Sequence, residues 1–230
     1  IYRGIGDLSK RYHCPIIGGN LTNSRQGMII SFTIIGGVPR GKALYRSGAK
    51  VGDEVWVTGN LGAAHAGLQS LLHPSSLSQE IISPLRERFL QPLPRLDEVL
   101  FLRKMVKITS LIDLSDGLSS DLRHICDESG VGANLFSWKI PITQETQEVA
   151  KALGHDPLFY ALSGGEDYEL CFTTKKGAAK QKIIAEFQKK FGLLLTSVGE
   201  ILEGKEVLLV QEDRQEIPLH AQGFDHFRAP

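Results

Sequence analysis

Cysteine, charge imbalance and long apolar runs are all scarce in this sequence, and each shortage excludes a class of protein. The 230 residues contain three cysteines, Cys14, Cys126 and Cys171, which are widely spaced and form no Cys-x-x-Cys pair. Such a set argues against a disulfide framework and a zinc site, and predicts a reducing cytoplasm. Lysine plus arginine number 26, as do aspartate plus glutamate, so the electrostatic footprint of a nucleic-acid or membrane-surface binder is missing. With no apolar run of membrane-spanning length, the composition predicts a soluble globular protein whose ligands can still be small anions.

The first 38 residues predict one helix followed by two strands. Apolar or aromatic side chains recur at Ile1, Ile5, Leu8 and Tyr12, which is a helical spacing. The stretches "CPIIGGN" and "MIISFTIIGGV" are rich in isoleucine with little alternation, as in strands covered on both faces. A loop dense in glycine and basic residues, "PRGKALYRSGAKVGD", follows. We therefore place a domain boundary near residues 38 to 42.

Beyond this boundary the sequence alternates between strand-like and helix-like segments. The strand-like segments are "EVWVTG", "ELCFTT", "TSVGEI" and "EVLLVQ". The helix-like segments are "LGAAHAGLQSLL", "EVLFLRKM" and "AAKQKIIAEFQKKF". Mixed alternation of this kind predicts an α/β fold, in the layered α+β sense, in which a mixed sheet carries helices.

The most informative stretch is "LIDLSDGLSSDL", where Asp113, Asp116 and Asp121 surround a Ser-Asp-Gly turn directly after an apolar pair. One interpretation is a helix N-terminus, at which Ser115 or Asp116 caps the backbone amides and the acids offset the helix dipole. The other is a site for a hard cation, in which Asp113 and Asp116 bind Mg²⁺ together with substrate phosphates. Capping accounts for one carboxylate but not for two on the same turn, so the spacing favours the metal site.

Two glycine-containing stretches are candidates for binding phosphate. In "GGNLTNS", Gly18 and Gly19 would let backbone amides approach a phosphate while Asn20 offers a side-chain oxygen. A hairpin loop explains the same residues. In "LYRSGAKVGD", Arg46 lies in a loop where a guanidinium can bind a phosphate through two bonds, although solvated loop arginines are common. Neither stretch identifies a phosphate site by itself.

The segment "VTGNLGAAHAGL" is a strand, a glycine turn and a helix start, which favours bound anions but is also the commonest exit from a strand. It lacks the Lys-Ser/Thr of a P-loop, and "GIG" at residues 4–6 lacks the third glycine of a dinucleotide fingerprint. We interpret His65, within this helix, as a packed or surface histidine rather than a base. Because no Ser-His-Asp pattern with a nucleophile elbow occurs, covalent catalysis has little support.

A second acidic stretch, "SGGEDYEL", places Glu166, Asp167 and Glu169 between two glycines and a strand. Its simplest interpretation is an acidic surface turn. Taken with Asp113 and Asp116, it makes a second acidic loop at an element boundary, and such loops build functional sites on rigid scaffolds.

In combination and order, these stretches resemble the thiamine-monophosphate kinase family, part of the superfamily that includes aminoimidazole ribonucleotide synthetase. The matching segments are "CPIIGGN", "VPRGKALYRSGAKVGDEVWVTGNLG", "RFLQPLPRL", "LIDLSDGLSSDLRHICDESGVGA", "SGGEDYELCFT" and "GFDHF". They cover nearly the whole chain, and "DLSDGL", "GGEDYEL" and "GFDHF" together are specific for the kinase. The resemblance implies the family's two-domain fold and Mg²⁺-dependent phosphorylation of thiamine monophosphate by ATP, giving thiamine diphosphate. It also implies a homodimer joined through N-terminal domains.

The resemblance further implies roles for eight residues. They are the metal ligands Asp113, Asp116 and Asn20, the ATP-binding residues Gly19, Asn20, Arg46 and Ser115, and the thiamine-binding residues Glu166 and Phe224. The acceptor would be a phosphate oxygen that is already anionic near neutral pH, so no general base is required. Catalysis would consist of offsetting the repulsion between phosphates and placing them in line.

The sequence departs from the family at two points. The family usually has Asp where this chain has Asn20, so a metal ligand there would be neutral and weaker. The family's N-terminal portion does not precede Ile1, and we expect residues 1–38 to be the remainder of a nucleotide-binding and dimerisation domain and 39–230 a complete C-terminal domain. Two alternatives stay open: a related ATP-dependent synthetase of the same superfamily, and a folded but inactive fragment.

Overall fold

The computed structural model of the chain describes residues 1–73 and 77–219. The chain divides into two compact units, Ile1–Gly41 and Lys42–Pro230. The first unit contains the helix α1 (Tyr2–Arg11), and the second contains a seven-stranded sheet with its helices.

The first unit confirms the predicted helix and corrects the two predicted strands. Helix α1 spans the helical spacing recognised in the sequence, and none of its side chains is buried. Between residues 14 and 41 the structure contains no strand and no further helix, so the strands predicted at "CPIIGGN" and "MIISFTIIGGV" are wrong. A strand exists through backbone bonds to a neighbouring strand, and isoleucine-rich composition alone supplies no such neighbour within this unit.

The strands of the second unit are β1 (Asp53–Thr58), β2 (Ile108–Asp113), β3 (Gly132–Phe136), β4 (Leu170–Lys175), β5 (Leu195–Leu202), β6 (Val207–Val210) and β7 (Glu216–Pro218). Their order in the sheet is β2-β4-β1-β5-β3-β6-β7. Only the β3–β6 pair is parallel among the described strands. Strand β2 forms one edge, and its last residue, Asp113, lies opposite Leu170, the first residue of β4. This register places the loop after β2 beside the loop before β4.

The helices of the second unit are α2 (Ala63–Leu72), α3 (Gln79–Leu90), α4 (Leu96–Met105), α5 (Leu118–Ser129), α6 (Gln144–Ala152), α7 (Pro157–Ser163) and α8 (Gln181–Phe191). The four strands and three helices predicted beyond residue 42 are confirmed. The sequence patterns did not predict helices α3, α6 and α7 or strands β3 and β7. Helix α3 carries an internal proline, Pro84, and α7 is only seven residues long, so both give weak sequence signals.

The core lies on both faces of the sheet. Because side chains alternate along a strand, Val55 and Val57 of β1 point to one layer and Trp56 points to the other. The first layer includes α5, and the second is formed by α4 and α8, whose Leu102 and Phe187 are fully buried. The predicted layered α/β class, with a mixed sheet carrying helices, is confirmed.

No helix within residues 1–73 and 77–219 is long and apolar enough to cross a membrane. Cys14 is exposed, Cys126 and Cys171 are buried, and all three are free thiols. Burial raises the pKa of Cys126 to about 12, so its reactive thiolate form is scarce at neutral pH.

Candidate active site

The two acidic loops of the sequence are joined by their backbones. The Leu114 amide donates to the Glu169 carbonyl at 2.8 Å, and the Tyr168 amide donates to the Leu114 carbonyl at 2.9 Å. One residue further on, the Glu166 amide donates to the Ser115 carbonyl at 2.9 Å. These bonds continue the β2–β4 pairing beyond the sheet, so the loop carrying Asp113 and Asp116 and the loop carrying Glu166 form one surface.

Unusual backbone conformations concentrate at this junction. Glu166 and Tyr168 have φ values of +64° and +49°, which non-glycine residues rarely adopt. Gly165, between the loops, has φ +66°, and a Cβ there would lie 2.5 Å from the Ser115 carbonyl oxygen. Residues held in such conformations cost on the order of 1–3 kcal/mol each and cluster at functional sites.

Helix α5 begins directly after the first loop, but not with the cap that the sequence suggested. Gly117 occupies the N-cap position without a side-chain capping bond, so capping by Ser115 or Asp116 is wrong. Instead, the buried carboxylate of Asp121, in the first turn, accepts a hydrogen bond from the Asp116 amide at 3.1 Å. Burial raises the pKa of Asp121 to about 7, and the charges of Asp116 and Asp113 act in the same direction.

Tyr168 belongs to the same surface and was not singled out from the sequence. Its hydroxyl donates to Glu166 Oε2 at 3.3 Å. Burial raises the pKa of Tyr168, and the carboxylates of Glu166, Asp113 and Asp116 raise it further. The phenol therefore lies within the electrostatic reach of all three acids. Its position between the acids of "GGEDYEL" was the available signal.

The donor set of this surface suits a hard cation only in part. Asp113 is exposed, and Ser115 and Asp116 are half-buried, so their oxygens are accessible. Among the described residues, no three histidine, cysteine, aspartate or glutamate side chains are grouped so that they could hold a metal ion. Mg²⁺ commonly uses one or two carboxylates, with waters and substrate phosphates completing its octahedron. Asp113 and Asp116 fit that incomplete type of site.

The other two acids of the second loop are buried, so an acidic surface turn is the wrong interpretation for them. Asp167 is 5% exposed and accepts hydrogen bonds from the amides of Gly62 at 2.6 Å and Ala64 at 3.1 Å. These amides open helix α2, so the protein's own carboxylate occupies the anion position that "VTGNLGAAHAGL" suggested. Burial raises the pKa of Asp167 to about 6, against the opposing effect of the two amide bonds.

Glu169 is fully buried and forms the centre of an ionic cluster. Arg95 donates to it through Nε at 2.9 Å and Nη2 at 2.6 Å, Arg88 donates at 2.5 Å, and the Thr58 hydroxyl donates at 2.7 Å. A Cβ on Gly59 would collide with the carboxylate. The two arginines lie in "RFLQPLPRL", a segment that carried the family resemblance but to which no role was given.

His65 is packed, as predicted. Its Nδ1 donates to the Gly164 carbonyl at 3.2 Å, its Nε2 accepts from the Gln69 amide at 3.2 Å, and its ring lies 4.6 Å from that of Tyr160. Burial lowers the pKa of His65, which favours the neutral ring that this bonding pattern requires. The histidine thereby supports the first glycine of the second acidic loop.

Arg46 does not contact the acidic loops in the structure. The carbonyl of its neighbour Tyr45 accepts from the Leu111 amide at 2.9 Å, so the segment runs along the outer edge of β2. The Arg46 guanidinium lies 3.9 Å from Glu128, and both side chains are half exposed. Glu128 is near the C-terminal end of α5, whereas Asp116 precedes its N-terminal end, and a 12-residue helix is about 18 Å long.

The remaining predicted residues belong to other parts of the chain. Gly19 and Asn20 are exposed residues of the first unit, outside any helix or strand. Phe224 lies outside the described residues. Of the eight predicted residues, the structure therefore brings together Asp113, Ser115, Asp116 and Glu166.

Comparison with known proteins places this arrangement in a family. The family model for the AIR synthase related protein, C-terminal domain, matches residues 50–211. This range includes β1 to β6 and both acidic loops.

Curated relatives extend the match to the first unit. The thiamine-monophosphate kinase of Buchnera aphidicola (subsp. Acyrthosiphon pisum) is 37% identical over 222 residues, which cover 96% of this chain and 66% of that protein. The thiamine-monophosphate kinase of Escherichia coli K12 is 36% identical over 228 residues, or 97% and 67%. The chain thus spans about two thirds of the length of the curated relatives it matches.

Solved structures agree on the fold. The thiamine-monophosphate kinase of Stenotrophomonas maltophilia K279a matches with a TM-score of 0.66 and 34% identity, over 75% of this chain and 54% of that one. AaThiL complexed with AMPPCP and TMP matches with a TM-score of 0.66 and 33% identity, over 80% and 54%. The expected aminoimidazole ribonucleotide synthetase-like fold is confirmed by these matches. The chain belongs to the thiamine-monophosphate kinase family, within the group of AIR synthase related proteins.

Proposed function

We propose that this chain belongs to an ATP-dependent thiamine-monophosphate kinase. The observation that carries the proposal is the backbone junction between "DLSDGL" and "GGEDYEL", which unites three accessible or half-buried acids on one surface. The proteins that the chain resembles are named for this activity, and one of them, AaThiL, is complexed with AMPPCP and TMP.

The proposed reaction transfers the terminal phosphoryl group of ATP directly to the phosphate of thiamine monophosphate, in line. The acceptor oxygen is anionic near neutral pH, so the reaction requires no general base. Asp113 and Asp116 would hold Mg²⁺, which supplies positive charge to offset the repulsion between the phosphates. Asn20, the third predicted ligand, would be neutral.

The other predicted residues would bind the two substrates. Arg46 would exchange its weak, half-exposed contact with Glu128 for an ATP phosphate, since pairs of this kind contribute about 0–1 kcal/mol. Ser115 and Gly19 would also contact ATP. Glu166, held by Tyr168, would meet the thiamine moiety together with Phe224. We further propose that the protein is a cytoplasmic homodimer.

The first test is release of ADP from ATP and Mg²⁺ by the 230-residue chain, measured with and without thiamine monophosphate. ADP release that depends on thiamine monophosphate supports the kinase. Dependence on a different acceptor would favour a synthetase of the same superfamily. If calorimetry detects Mg·ATP binding but the chain shows no turnover, the chain is folded but inactive.

The metal role predicts a specific effect of Asp116→Asn. Removing one of two carboxylate ligands should raise the Mg²⁺ concentration needed for Mg·ATP binding at least tenfold. It should also lower turnover, because the activation barrier rises by on the order of several kcal/mol. The backbone amide bonded to Asp121 remains, so the fold should be preserved. Asp127→Asn removes an exposed carboxylate of α5 from the other end of the helix and serves as the matched control. An unchanged Mg²⁺ requirement in Asp116→Asn would exclude the metal role.

A further inference from the structure

We propose that Asp121 is the positioning residue of the site: its buried carboxylate binds the backbone of the "DLSDGL" turn and thereby fixes the orientation of Ser115 and Asp116. The inference rests on the proposed function, because it assigns Asp121 a role in binding Mg·ATP. Asp121 itself would touch neither metal nor nucleotide.

The geometry of the turn gives this carboxylate a specific task. Asp121 is 2% exposed, and its Oδ2 accepts from the Asp116 amide at 3.1 Å. The Ser115 backbone also favours the charged form of this carboxylate and so opposes the rise of its pKa. Gly117 offers no side chain to cap α5, so Asp121 reaches back from the first helical turn to the amides of the preceding loop.

Burial and the neighbouring acids both act against the charged form of this carboxylate. A buried carboxylate is disfavoured by desolvation, and Asp113 and Asp116 add like charges nearby. Within residues 1–73 and 77–219, no lysine or arginine forms an ion pair with Asp121. A cation held by Asp113 and Asp116 would relieve this repulsion.

Two substitutions separate positioning from charge. Asp121→Asn and Asp121→Ala remove the same negative charge, but only asparagine keeps a side-chain oxygen that can accept from the turn amides. Loss of groups that orient metal ligands typically weakens metal binding about 10- to 100-fold. We expect Asp121→Ala to weaken Mg·ATP binding by about that factor, and Asp121→Asn to bind at least about fivefold more tightly than Asp121→Ala.

The measurement is calorimetric titration of the full chain with Mg·ATP, accompanied by hydrogen exchange of the Asp116 amide. This amide should exchange faster in Asp121→Ala than in Asp121→Asn. Asp53→Ala is the matched control, because Asp53 is also buried and accepts from the Lys50 amide and the Thr109 hydroxyl. Asp53 lies at the end of β1 that is far from the two acidic loops. The substitution should therefore lower stability without weakening Mg·ATP binding.

The outcomes distinguish this inference from the proposed function. Equal Mg·ATP affinities for Asp121→Asn and Asp121→Ala would overturn positioning in favour of a charge effect. Unchanged affinity in Asp121→Ala would also overturn it while leaving the kinase proposal intact. Failure of the unaltered chain to bind Mg·ATP would overturn the proposed function, and this inference with it.

Discussion

At the scale of single residues, the three acids of "GGEDYEL" have different roles in the loop. Glu166 is exposed to solvent. Asp167 accepts hydrogen bonds from the amides that open α2, and Glu169 accepts hydrogen bonds from the two arginines. A loop held by its own buried charges presents its one exposed acid in a fixed place. Preorganisation of this kind is what a binding site needs.

Glu169→Gln tests how much the ionic cluster contributes to stability. The substitution leaves the Arg95 guanidinium buried with its main charge partner neutralised, and breaking a buried pair in this way costs about 3–5 kcal/mol. Urea unfolding should show a loss of that size. Glu186→Gln, which removes an exposed contact to Lys182 at 3.9 Å, should cost less than about 1 kcal/mol. Equal losses in the two variants would contradict the central role of Glu169.

Asp167 predicts a pH dependence of stability. Its pKa is raised by burial from the ordinary 3.8 to about 6, so between about pH 4 and pH 6 the native state binds more protons than the unfolded state. The free energy of unfolding contributed by this group therefore falls as the pH rises through that window, by at most on the order of 3 kcal/mol. Asp167→Asn cannot titrate. The free energies of unfolding of wild type and Asp167→Asn, measured in urea, should therefore differ less at pH 7 than at pH 4. The same difference at both pH values would refute the raised pKa of Asp167.

At the scale of elements, α5 is bounded by two glycines that have different reasons to be glycine. Gly117 has φ +104°, and a Cβ there would lie 2.6 Å from the Leu162 carbonyl oxygen, between the helix and the second loop. Gly130, at the C-terminal end, has φ +69° and open space around it. At Gly130 only the left-handed backbone conformation favours glycine. At Gly117 both the backbone conformation and the close packing against Leu162 favour it.

Substituting alanine at each end of α5 should separate these two effects. Gly130→Ala should cost about 1–2 kcal/mol, the usual penalty for a left-handed residue with a side chain. Gly117→Ala should cost more, since backbone atoms must also move, and it should disturb Mg·ATP binding through the adjoining turn. Thermal unfolding and calorimetry provide the two measurements. Similar stability losses, with Mg·ATP affinity retained in both variants, would contradict a tight junction at Gly117.

How far the sequence predicts these elements depends on where the determining contacts lie. Segments such as "EVWVTG" and "AAKQKIIAEFQKKF" carry their own periodicity, and the structure confirms them. The isoleucine-rich stretches before residue 38 were predicted as strands wrongly, because strand formation requires a partner that local pattern does not reveal. The union of the two acidic loops followed from motif resemblance but not from periodicity. The roles of Asp121, Asp167 and Glu169 depend on which amides and guanidinium groups tertiary packing brings near them.

At the scale of the whole chain, the two units differ in how their side chains are packed. Every side chain from residue 13 to residue 42 is exposed, including several large apolar ones such as Ile17 and Ile29. The second unit, by contrast, has buried side chains on both faces of its sheet. Backbone that lacks both burial and regular hydrogen bonding opens at little free-energy cost. The resistance of the chain to local unfolding should therefore change sharply near residue 42.

Limited proteolysis with trypsin tests this boundary on the intact chain. Arg25 and Arg40 are exposed and lie outside any helix or strand, so cleavage should occur there first and release a product that begins near residue 41. This product should resist further digestion and unfold within a few degrees of the intact chain, because the core described above belongs to the second unit. Arg25→Gln combined with Arg40→Gln should slow the first cut without changing the melting temperature. Early cleavage at Arg88, Arg95 or Arg123 of the second unit, with Arg25 and Arg40 protected, would show that the first unit is the more stable part and would refute this division of the chain.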